Sequence, residues 1–315
     1  MKRAFAPLLL LLATTACNGS PPAPAPAITE FALPEGSAPT GITAGPDGAM
    51  WVTLTDASAI ARVTAEGEIT VWPLPDRRGK PPAIIAAGDG ALWFSESAVD
   101  RIGRIATDGT ITEFSLPTKG SQPDGLAADG AVVWVALPGT SKLARITGEL
   151  VEEIGVAPAK AGVYSVATGS NGEVWFIEAN LDRIGRRAAD GTVREYSLMP
   201  QGNLFWIAAG APGEFWFTEN RAGRVGRILA SGEIEVWAAS GSDAQPFGIA
   251  AAGDGSVWFT EFSSGRIGRI ADGRVDTFAL PTADAGPAGI ARGPGQTMWY
   301  AASRAARVGR IDLGD

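Results

Sequence analysis

The sequence contains no histidine and a single cysteine among its 315 residues. Without histidine the commonest general base and metal ligand is missing, so proton chemistry would fall to a group such as a carboxylate. A lone cysteine excludes an intramolecular disulfide. No apolar run reaches the roughly 20 residues that a membrane-spanning helix needs, and the 3.6-residue periodicity of helical solenoids is absent. Positive charge is also scarce, with 26 Lys and Arg against 34 Asp and Glu. Beyond the first residues the one basic cluster is Arg77-Arg78-Gly79-Lys80, so a nucleic-acid partner, which requires a basic face, is not expected. What is abundant is glycine, at 41 residues, proline at 22 and tryptophan at ten, within a chain that is 45% hydrophobic. That is a turn-rich globular composition with material for a large core.

The N-terminus reads as an export segment. Met1-Lys2-Arg3 is followed by an apolar run from Ala4 to Ala13 and by the small residues up to Ala16, so residues 1–16 form a signal peptide. Cys17, directly after the apolar run, resembles the lipid-modified cysteine of bacterial lipoproteins; plain cleavage and a bystander thiol are the alternatives. Residues 17–27, with a Pro/Ala run from Pro21 to Ala27, have the composition of a semi-rigid tether. Loss of Lys2 and Arg3 with the signal leaves 24 basic against 34 acidic residues, a net charge of −10. The expected location is the cell envelope, on the periplasmic face or the cell surface, with the membrane reached through the lipid.

Residues 28–315 are organised by a repeat. Trp occurs at 51, 93, 134, 175, 216, 258 and 299, and an Arg follows eleven residues after each, from Arg62 to Arg310. Each unit holds four short apolar runs separated by Gly, Asp or Asn turns, the signature of a propeller blade. The prediction is an all-β, seven-bladed β-propeller with four-stranded blades, whose strands are called A to D from the axis outward. Ile28-Thr29-Glu30-Phe31-Ala32-Leu33 is a D-type strand with no blade of its own, and the last blade lacks strand D, so pairing of the two chain ends closes the ring. The seven Trp are expected to pack between blades.

Comparing blades also interprets four acids. Glu96, Glu178, Glu219 and Glu261 stand three residues after a blade's Trp, and Arg101, Arg183, Arg224 and Arg266 follow five residues later. The pattern predicts an ion pair across each B–C hairpin, with a catalytic or metal role as the sharper alternative.

Propellers bind ligands at the mouth of the central channel, which strand A lines. One A-strand position varies within the repeat: Thr40, Pro82, Asp124, Tyr164, Phe205, Phe247 and Ala288. Thr40, Asp124, Tyr164, Phe205, Trp206 and Phe247 are therefore the candidate ligand-binding residues. An aromatic rim with one acid suits an apolar or cyclic small molecule, a glycan or a peptide; the other reading is that the rings plug the channel.

Pro39 to Ile42, Asp89 to Glu96, Arg101 to Ile105 and Ile111 to Pro117 carry the strings by which the chain, from Ile28 to Asp315, resembles the virginiamycin B lyase, or streptogramin lyase, family. The resemblance implies a seven-bladed propeller and a magnesium-assisted elimination that opens a cyclic depsipeptide. It also implies two His and two Glu in the site, and by motif these map onto Phe247, Ala288, Gly286 and Ser303. None of these four can hold a catalytic proton, and the first-blade Tyr of the family is replaced by Thr40. No catalytic residue, metal ligand or cofactor is therefore expected, with Mg2+ required only if a lyase activity persists. The expected function is an exported, lipid-anchored, non-catalytic binding or interaction module. The alternative is a streptogramin B lyase or another metal-dependent lyase or hydrolase at the channel mouth.

Overall fold

In the computed structural model, which describes residues 10–11, 25–198 and 201–314, each repeat folds into an antiparallel sheet of four strands, and seven such sheets form the ring. Blade six shows the plan: Pro246–Ala251, Val257–Glu261, Arg266–Ala271 and Arg274–Ala279 pair in chain order. Among the described residues, helix is confined to a single 3-10 turn at Ala179–Leu181. Cys17 and the expected cleavage region before it lie outside the described residues; Leu10–Leu11 runs parallel to Ile234–Glu235 on the outer edge of blade five.

Strand B is the buried strand of each blade, along its whole length at Met50–Leu54, Leu92–Glu96 and Val257–Glu261, because strands A and C flank it and neighbouring blades cover both faces. The repeated Trp sits there in a composite socket. Trp51 stacks on Trp72 of strand D at 5.2 Å, and its Nε1 donates to Asp47 at 3.0 Å. Arg62, its cross-strand partner, also binds Asp47. Blade two repeats the arrangement with Trp93, Phe114, Asp89 and Arg104. Trp175 further stacks on Phe215 of the next blade at 4.7 Å. The seven Trp and their trailing Arg are thus units of packing within and between blades.

A second correlation runs through the blades. Where the residue after the Trp is aromatic, its cross-strand partner is Gly: Phe94 with Gly103, Phe176 with Gly185, Phe217 with Gly226, Phe259 with Gly268, and Tyr300 with Gly309. Where it is Val, the partner is Ala, as in Val52 with Ala61 and Val135 with Ala144. The ring lies flat on the glycine, so that a Cβ at Gly226 would fall 2.2 Å from Phe217 Cζ. Gly226→Ala should therefore cost about 2 kcal/mol through overpacking. Adding Phe217→Val should recover most of that loss, a coupling that urea unfolding of the two single variants and the double variant would measure.

The ring closes as expected. Ala27–Ala32 pairs antiparallel with Arg307–Asp312, the last strand of blade seven, from Ala27 opposite Asp312 to Ala32 opposite Arg307. Phe31 then stacks on Trp299 at 5.7 Å, completing in blade seven the contact that strand D makes elsewhere.

Candidate site at the channel mouth

The inner strands are Pro39–Ala44, Ile84–Ala86, Leu126–Asp129, Val163–Thr168, Leu204–Ala209, Pro246–Ala251 and Pro287–Arg292. They approach so closely that a Cβ at Gly41 would lie 2.8 Å from Ala83 Cα, and one at Gly289 would lie 2.4 Å from the Thr40 carbonyl. Small residues at this position in six blades, Gly41, Ala83, Gly125, Ser165, Gly248 and Gly289, follow from that crowding. Blade five carries Trp206 instead. Its ring packs against two core clusters, one that includes Ala83 and Leu126 and one that includes Ile249. The remaining axial cavity has a volume of about 230 Å³ and is lined in part by Thr40, Ile42, Trp206 and Phe247.

The other candidates gather at the rim. Tyr164 and Phe205 have ring centroids 5.1 Å apart, and Phe205 and Phe247 are 4.4 Å apart. All three rings are half-buried. Asp124, at 8% exposure, is hydrogen-bonded to Tyr164, yet burial outweighs that bond and pushes its carboxyl up to about 7. The Tyr164 phenol is raised as well, first by burial and then by the Asp124 charge. Thr40 and Thr55 have their hydroxyls 2.9 Å apart on the opposite side.

Two residues that the repeat did not single out extend the aromatic row. Phe262 stacks on Phe247 at 5.6 Å, and the Arg304 guanidinium lies 4.5 Å over the Phe262 ring. Phe262 follows a blade's Trp by four residues, where the other blades have Thr55, Ser97, Pro138, Ala179, Asn220 and Ser303. A lone aromatic at that place was the available signal. Gly286, with φ of +59°, lies against the Arg304 stem, and a Cβ there would come within 2.7 Å of Arg304 Cγ. Ala288 is buried at 1% exposure, its carbonyl accepting from the Thr260 hydroxyl at 2.6 Å. Ser303 donates its backbone N–H to the Gly286 carbonyl at 2.9 Å.

The four glutamates share the expected register but not one set of partners. Each faces its Arg across the B–C hairpin in register, Glu96 opposite Arg101, Glu178 opposite Arg183, Glu219 opposite Arg224 and Glu261 opposite Arg266. A two-pronged ion pair forms at Glu219 and Arg224, with bonds of 2.8 and 2.9 Å. Elsewhere strand D competes for the base: Arg101 binds Glu113, Lys142 binds Glu153 and Arg183 binds Glu195. Blade five has Val236 at that strand D position, which leaves Arg224 to the strand B acid. In blade six Glu261 instead accepts from Ser240 and Ser264.

An all-β ring of seven four-stranded blades with an axial cavity under an aromatic rim defines the chain as a seven-bladed β-propeller. It belongs to the virginiamycin B lyase family, whose model matches residues 23–150 and 149–315. A streptogramin B lyase structure superposes with a TM-score of 0.86 at 28% identity, covering 91% of this chain and 98% of the other. A catalytically inactive variant of virginiamycin B lyase from Staphylococcus aureus, solved with quinupristin, does so with a TM-score of 0.86 at 29% identity, over 91% and 99%. Virginiamycin B lyase from Mycolicibacterium smegmatis is 58% identical over 36 residues, a match that spans 11% of this chain and 13% of that relative's length.

The positions onto which the sequence resemblance maps the family's His and Glu do not fit a magnesium ion. Phe247 and Ala288 bring no donor atom, Gly286 no side chain and Ser303 a neutral hydroxyl, while a guanidinium already occupies the neighbourhood. Magnesium prefers carboxylate and water oxygens in octahedral array, and among the described residues no three His, Cys, Asp or Glu side chains converge on one point.

Proposed function

We propose that this protein is an exported, lipid-anchored member of the virginiamycin B lyase family that binds a ligand at its channel mouth without the family's elimination chemistry. The observation that carries this reading is the exchange at four positions, where Phe247, Ala288, Gly286 and Ser303 stand in place of proton-transfer and metal-binding groups, while a half-buried aromatic row borders the cavity. Elimination requires a base for the α-proton and an acid or metal for the leaving carboxylate. Aromatic faces bind apolar or cyclic ligands without either. Export and anchoring rest on the basic start, the apolar run and Cys17.

One observation favours a second reading. The carboxyl of Asp124, raised to about 7, is matched to general acid–base work at neutral pH, as a hydrolase would need. A single assay separates the two. The protein is incubated with a streptogramin B and magnesium at pH 7, and ring opening is followed by chromatography. The binding reading expects intact depsipeptide; turnover abolished by EDTA overturns it, and turnover lost in Asp124→Asn assigns the base.

A further inference from the structure

We infer that the channel mouth selects a small aromatic carboxylate, whose ring packs against the Phe205–Phe247–Phe262 row and whose anion meets Arg304. The inference rests on the reading of the mouth as a binding site and adds the chemistry of what binds. Tyr164, Phe205, Phe247 and Phe262 follow one another around the rim at centroid separations of 5.1, 4.4 and 5.6 Å. This is a continuous apolar row drawn from three neighbouring blades, with interplanar angles of 42° and 54° at the first two contacts and a stacked pair at the third. At its end Arg304 is exposed, with its guanidinium 4.5 Å above Phe262.

Two features make Arg304 more than a stray surface cation. Its aliphatic stem rests on Gly286, where any Cβ would collide with Cγ and Cδ, and its head group rests on an aromatic face, so the side chain is held before a ligand arrives. A planar guanidinium fixed in this way loses little freedom on binding and presents a fork that matches a carboxylate. It is also unpaired among the described residues. Several strand C bases have acids beside them, as with Arg62 and Asp47, Arg104 and Asp89, or Arg186 and Glu173. In a chain with a net charge of −8, a preorganised cation without an acid, at the edge of an aromatic floor, is complementary to an anion borne on an apolar group.

The test compares two isosteres by isothermal titration on the full-length protein at pH 7.4 and low salt: naphthalene-2-carboxylate and the neutral naphthalene-2-carboxamide. The native chain should bind the carboxylate about tenfold more tightly. Arg304→Gln should bring the ratio to about one, Arg304→Lys should keep part of the preference, and Phe247→Ala should weaken both probes. Equal affinities in the native chain, or a ratio that persists in Arg304→Gln, overturn the carboxylate selection and leave the binding reading standing. Failure of both probes to bind the native chain overturns the mouth as an aromatic-binding site and the selection with it.

Discussion

Removing residues 27 to 33 should abolish cooperative folding of the whole ring. In most proteins a terminal strand frays at little cost, but this one supplies the outer strand of blade seven, paired residue by residue with Arg307–Asp312. Its loss exposes that edge for pairing with other chains. It also removes Leu33, buried beside Leu54 and Ala59 of blade one, and strips Trp299 of its stacking partner Phe31. The Tyr300 hydroxyl, which donates to Glu30 at 2.7 Å, is left without its acceptor, a penalty of about 1 to 3 kcal/mol. Burial of Leu33 contributes about 1.5 to 3 kcal/mol, and the half-buried Ile28 and Phe31 contribute less each. Together these are a large part of the whole stability expected of a domain, about 5 to 15 kcal/mol. Size-exclusion chromatography and a thermal melt should show aggregation without a cooperative transition. Phe31→Ala alone should retain the transition while lowering stability by about 3 kcal/mol. A deletion variant that melts like the native chain would refute closure by this strand.

Glu96→Gln should stabilise the protein by about 4 kcal/mol above pH 8 and by little or nothing near pH 4. Glu96 is fully buried, and neither carboxyl oxygen has a hydrogen-bond partner. Its cross-strand base, Arg101, is taken by Glu113 at 2.9 Å and approached by Asp76 at 3.5 Å. Burial first, and then the Glu113 and Asp76 charges, push the carboxyl up from 4.5 to about 8 against the pull of Arg101. Between those two values the folded chain keeps a proton that the unfolded chain releases, so native stability falls as pH rises through that window and levels off above it. A neutral amide removes the dependence and can donate toward the surrounding acids. Urea unfolding of both proteins from pH 4 to 9 should give curves that diverge with rising pH; parallel curves would show that Glu96 ionises freely in the fold.

The contrast between Glu96 and Glu219 shows where reading the repeat stops. Both acids face an arginine across the same hairpin, and both positions are visible in the sequence as Glu followed five residues later by Arg. Whether an ion pair forms is decided by strand D, through Glu113 in one blade and Val236 in the other, and by the loop that delivers Asp76 from the preceding blade. Glu113 and Val236 stand on the neighbouring strand of the same blade, but the reach of Asp76 depends on how the loop between blades packs.

The sequence by itself determined the blade count, the strand order, the closure of the ring and the structural role of the seven Trp. Each of these follows from local alternation and turns repeated at a fixed period, so the blades serve as internal controls for one another. The resemblance to the family pointed, as an expectation, to Phe247, Ala288, Gly286 and Ser303 for the places of its His and Glu. Only the tertiary structure decided that Trp206 fills the axis where six other blades keep small residues, and that Phe262 and Arg304 complete the rim. Residues 262 and 304 lie in the loops of different blades and break the repeat; their meeting depends on the rotation from one blade to the next and on the space that Gly286 leaves open, neither of which is written as a period in the chain.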